Sequence, residues 1–211
     1  MASKKKREKD HLLRSRAISI AHQMHEAGDP RSCVLVGCAM AEVEFEALLR
    51  FHFAKVSEAT SDQIRNVLDS DNKNPQALLS SGWARATAAL VCGAIDRNTY
   101  DLYNEIRKLR NDYAHHPGPI RLPDKLIEPM AALLNRQERE SLDGVMGQLR
   151  DNEPLWGYIH KPKISTAHLG FIQCCLLLLG RLYFRRVDLE EEPKSIDPAL
   201  PLSGVLDEPQ L

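Results

Sequence analysis

Long apolar runs are missing from this sequence. The longest, LGFIQCCLLLLG, is about a dozen residues, short of the roughly 20 that span a bilayer. It reads as a buried helix, and no membrane partner is expected. The charged start MASKKKREKD is not followed by an apolar segment and a cleavage site, so no secretory signal is expected. The five cysteines, Cys33, Cys38, Cys92, Cys174 and Cys175, form no CxxC pair and have no histidine at zinc-ligand spacing. They read as reduced thiols filling a core, and the setting they suggest is cytoplasmic. There is little net charge: −1 over 211 residues. That excludes a generic basic nucleic-acid coat, though a local basic patch is compatible with it. Also absent are a glycine-rich phosphate loop, a G-x-S-x-G turn and a Cys–His pair in a recognisable setting. Glu42, Glu44 and Glu46 have no Glu-x-x-His partners on neighbouring segments, so they read as a solvated face. No metal and no cofactor is expected.

Sustained two-residue alternation is missing too, and so is any internal repeat. What is present is helical periodicity. Hydrophobic residues make up 43% of the chain, enough for the core of one domain at this length. The expected helices cover residues 11–27, 31–56, 61–69, 76–95, 97–116, 123–135, 137–150 and 164–187. In the second, Val36, Met40, Val43 and Ala47 recur at i, i+4, i+7 and i+11 and suggest the core face, with Glu46 and Arg50 pairing outside. The last is apolar nearly all round and belongs at the centre of a bundle. Trp83 and Trp156 read as packing residues. The fold class is all-α, a compact multi-helix bundle over residues 11–187. A basic arm (1–10) and an acidic, proline-rich tail (188–211) are expected to be flexible.

The segment NTYDLYNEIRKLRNDYAHH carries the chemistry. Leu102, Ile106, Leu109 and Tyr113 form one stripe. At about 100° per residue, Asn111 and His115 fall on nearly the opposite face, with Arg110 on the flank. The end of a helix exposes unpaired carbonyls with partial negative charge, which suits a basic residue for structural reasons alone. The functional reading is sharper. Arg110 offers a planar fork for phosphate, and His115 can give or take a proton. Together they are a minimal kit for metal-free RNA cleavage. A second surface, another helix or another subunit, would have to meet them. The stretch ATAALVCGAIDRNTYDLYNEI also offers a helix-turn-helix pattern, with Gly93 to Asp96 as the turn and Asp96 or Asn98 as the cap. Its second helix is long for a recognition helix, and Tyr100, Asp101 and Glu105 are poor phosphate partners. The loop HKPKIST reads as an exposed basic loop.

Arg110-Asn111-x-x-x-His115 resembles the R-N-x-x-x-H signature of the HEPN superfamily of helical bundles. The segments GDPRSCVLVGCAMAEVEFEALLRFHF, NPQALLSSGWARATAALVCGAI and YDLYNEIRKLRNDYAH resemble its mannitol operon repressor (MltR-type) branch, and FIQCCLLLLGRL fits that family's closing helix. The resemblance covers about residues 27–187. It implies a HEPN-like fold, a homodimer, and functional positions at Arg110, Asn111 and His115. It implies a regulatory protein acting through a protein partner, RNA or DNA. The alternative it implies is a metal-independent endoribonuclease using Arg110 and His115.

Overall fold

The computed structural model describes Ser19, Gln23, Met24, residues 29–57, 59–68, 77–115, Leu122, and residues 124–150 and 165–191; residues 124, 145–150, 166 and 191 are described by backbone alone. The basic arm, most of the expected helix at 11–27, the loop at 69–76, His116, Trp156, most of HKPKIST and the tail from residue 192 lie outside these. Among the described residues every regular element is helical, in keeping with the all-α expectation. The helices are α1 (Pro30–Val56), α2 (Ser61–Leu68), α3 (Gly82–Val91), α4 (Arg97–Ala114), α5 (Ile127–Ala132), α6 (Arg136–Arg150) and α7 (Thr166–Glu191), with a 3-10 turn at Asp124–Leu126 leading into α5.

Local chemistry sets the ends. Asp29 caps α1 by accepting from the N–H groups of Arg31 and Ser32, and Pro30 fills the first turn where its missing N–H costs nothing. Ser81 caps α3 through Ala84 N–H. That places the start of α3 later than the expected residue 76, because the chain turns at residues 78–79 before the cap. The helix also stops at Val91 rather than 95. Gly93 has φ 71°, and the N–H groups of Ala94 and Ile95 return to Ala89 O. Few residues other than glycine take that backbone conformation at low cost. Asp96 then caps α4 through Thr99 N–H at 2.7 Å. The turn and its cap therefore lie where the sequence placed them.

The bundle is organised around α1, which packs against α7, α4, α3 and α2. Because α1 has neighbours on several sides, one apolar stripe does not describe it. Its buried residues include Val34, Cys38, Ala41, Phe45, Leu48 and Leu49. The expected core stripe is corrected: Val36 and Met40 are half-buried and Val43 is 58% exposed. Glu46 does pair with Arg50, at 2.8 Å. The glutamates are not a solvated face, however. Glu44 is buried beside Arg186 of α7, and Glu46 also reaches the buried Arg85 of α3 at 3.3 Å. Arg85 in turn donates to Leu68 O and Leu79 O, fastening α2 and the following turn to α3.

The last helix continues past 187. Leu189 is buried, and its carbonyl accepts from Lys55 Nζ at 2.7 Å. By length and composition Ala167–Glu190 could cross a membrane, yet 72% of that window is buried within the bundle. Protein contacts therefore satisfy its apolar surface, in keeping with its central role. The cysteines are free, and all but Cys92 are buried. Burial pushes the Cys33, Cys38 and Cys174 thiols up to about 12.

Candidate functional site

The site is built on α4. Leu102 and Ile106 are buried, and Leu109 and Tyr113 are half-buried against the core, so the apolar stripe faces inward as its spacing implied. The polar residues consequently face out. Arg110, Asn111 and His115 are all exposed. His115 is the residue at which the helix ends, with φ −107° and ψ 0°. The structure joins two of the three: Arg110 Nη1 donates to Asn111 Oδ1 at 3.1 Å. Among the described residues no hydrogen bond links His115 to either. The three share one exposed helix end without forming a closed pocket.

Beneath this end lies a polar junction that sequence reasoning did not identify. Tyr103 Oη donates to Glu42 Oε1 at 3.4 Å, and Cys38 Sγ lies 3.6 Å from the same oxygen. Gly82 of α3 presses on both: a β-carbon there would overlap Glu42 and the Tyr103 hydroxyl. Burial and the nearby Glu42 carboxylate raise the Cys38 thiol, while the charges of Arg110 and Arg107 oppose that rise. Burial likewise pushes the Tyr103 phenol up. These groups hold α1, α3 and α4 together under the motif. Neither Cys38 nor Tyr103 is poised to ionise near neutrality, so neither is a nucleophile in the sense of an activated thiol.

Along the outer side of α4 runs a groove of about 520 Å³ lined by Trp83, Tyr100, Asn104, Arg107 and Lys108, among others. Trp83 is 49% exposed, which corrects its reading as a packing residue. The Tyr100 hydroxyl is held below the usual tyrosine range by hydrogen bonding with Thr87, Asn104 and Trp83. The Arg97 guanidinium lies 5.5 Å from the Tyr100 ring centre. The signal was present in the sequence: Tyr100, Asn104, Arg107 and Asn111 are spaced i, i+4, i+7 and i+11 on one polar face.

A second groove of similar volume lies between the α3–α4 turn and α7. Its Arg181 is already committed, binding both Glu138 carboxylate oxygens and the Leu133 carbonyl. Among the described residues no group of histidine, cysteine, aspartate or glutamate side chains could hold a metal ion. In comparisons with known proteins, no family model, no curated protein and no solved structure matches the chain.

Proposed function

We propose that this chain is an MltR-like, HEPN-type regulatory protein that acts through a protein or nucleic-acid partner, in transcriptional regulation. The observation that carries the reading is the exposure of Arg110, Asn111 and His115 together at one end of α4. These side chains point away from the core that α4 helps to build, so their removal would cost the fold little. A guanidinium held by a neighbouring amide is set to receive an anionic or carbonyl group from outside. A homodimer joined near this end would supply the second surface that a single chain leaves open.

A second reading rests on the same geometry. A cation and an imidazole share one exposed helix end, as a metal-independent endoribonuclease would require. Two copies meeting there would complete the cleft. Arg110 would stabilise charge on the phosphorane and His115 would move the proton.

One experiment separates them. Purified wild type is assayed on single-stranded RNA in EDTA, beside Arg110→Ala and His115→Ala. Under the regulatory reading wild type leaves the RNA intact, and both substitutions weaken dimerisation or partner binding. Cleavage that disappears in both variants would replace this reading with the nuclease. The expected loss is then about 10²–10⁴-fold for His115→Ala. Cleavage that persists in both would sink the proposed site.

A further inference from the structure

We infer that the groove beside α4 is a stacking site for an unpaired base of single-stranded nucleic acid, with its phosphates carried toward Arg110. Trp83 is the platform. A tryptophan left half exposed, with Tyr100 beside it, presents aromatic surface to whatever enters the groove. Base stacking on such surfaces tolerates any sequence, because every base has a π-face.

The charge pattern supports this occupant over a free apolar segment. Two cations of the groove are neutralised locally: Arg97 pairs with Asp101 at 3.0 Å and Lys108 with Glu105 at 2.6 Å. Two others are not. Arg107 donates to the neutral side chain of Asn104 at 3.4 Å, and Arg110 to the neutral side chain of Asn111 at 3.1 Å. Among the described residues neither guanidinium is in an ion pair. Each is thus oriented by an amide while keeping its full charge, which suits a phosphate. The order along the helix is also right. Tyr100, Asn104, Arg107 and Asn111 follow one face, and His115 lies one further turn on. At 1.5 Å per residue, Tyr100 to His115 spans roughly 22 Å, room for several linked nucleotides. A free nucleotide could fill the Trp83 end but could not span to His115.

The inference rests on the reading that the Arg110 end receives a partner, and it names that partner as an unpaired strand. The test uses the full chain and a dye-labelled oligouridylate, followed by fluorescence anisotropy at low salt. A duplex of equal length and uridine monophosphate serve as competitors. Trp83→Ala should weaken binding by roughly five- to a hundredfold, and Trp83→Phe should restore most of it. In a Trp156→Phe background, Trp83 is the remaining tryptophan, and its emission should be quenched as the strand binds. Arg107→Ala with Arg110→Ala should reduce the slope of log affinity against log salt by about 1.4. The competing monophosphate should displace the strand poorly. Absence of strand binding by wild type would overturn the inference, as would efficient displacement by the monophosphate. The partner-binding reading would then still be judged by whether Arg110→Ala disrupts the dimer. Binding that survives Trp83→Ala but fails with Arg110→Ala would remove the stacking site and leave the Arg110 reading intact.

Discussion

Gly82 shows how a single methyl group would be felt at the site. Its α-carbon lies against the Glu42 side chain and the Tyr103 hydroxyl, and a β-carbon would overlap both. Gly82→Ala should therefore cost about 1–3 kcal/mol by overpacking, read as a lower urea midpoint. An unchanged midpoint would mean that α3 can shift freely over α1 and α4. Arg110→Ala and His115→Ala should behave differently. Both side chains are exposed, so each variant should stay within about 0.5 kcal/mol of wild type. The thiols give an independent check on burial. Cys33, Cys38, Cys174 and Cys175 are enclosed, while Cys92 is partly open. With a thiol reagent on native protein, Cys92 should react first, and the other four should respond only on unfolding. Rapid reaction at Cys38 would instead reveal an open junction beneath the motif.

Helix α6 is fixed by one carboxylate serving two purposes. Glu138 accepts from Asn135 N–H while Asn135 accepts from Glu138 N–H, a reciprocal cap at the start of the helix. The same carboxylate receives Nε and Nη2 of Arg181 from α7, with the Glu138 and Arg181 side chains 13% and 16% exposed. Glu138→Ala should cost about 1–3 kcal/mol, because it removes two charge-assisted hydrogen bonds from the half-buried Arg181. Burial pushes the Glu138 carboxyl up, but the Arg181 and Asn135 hydrogen bonds outweigh it and hold it below the usual range. A lowered folded value means this stability is fully present above the unfolded carboxylate range near pH 4.3. It is lost as pH falls through the folded value. Wild type should lose stability in acid more steeply than Glu138→Gln; equal acid profiles would discount the clamp. This element also shows what the sequence could and could not reveal. Caps such as Asp29-Pro30 and Asp96 are local, so they could be read from neighbours. The pairs Glu138–Arg181, Glu46–Arg85 and Glu44–Arg186 join residues far apart in the chain, and no spacing announces them. The face of α1 was misread because its apolar residues lie on several sides, and only packing decides among them. The exposed face of α4 was legible from rotation per residue, whereas Trp83 was not, since a tryptophan ordinarily reads as core.

At the scale of the molecule, the bundle buries what α4 offers inward and leaves the opposite side uncovered. Beyond Trp83, Val91 and Leu78 are each 82% exposed, so apolar surface remains on and next to α3 as well. Under the proposed homodimer, a second copy would cover such surface while closing the motif, and a two-fold contact would bring like helix ends together. Light scattering at micromolar concentration should therefore report a dimer. Arg110→Ala and His115→Ala should move it toward monomer while lowering the melting temperature only by the concentration-dependent share that association itself contributes, because neither side chain supports the core. That combination distinguishes an interface from a structural role: a packing residue would lower the melting temperature at every protein concentration. Salt should weaken the wild-type dimer if Arg110 meets an acidic group across the interface, and Arg110→Ala should blunt that salt response. A wild type that stays monomeric at these concentrations would refute assembly through this end. A dimer untouched by either substitution would place its contact elsewhere and leave the Arg110 end free for a different partner.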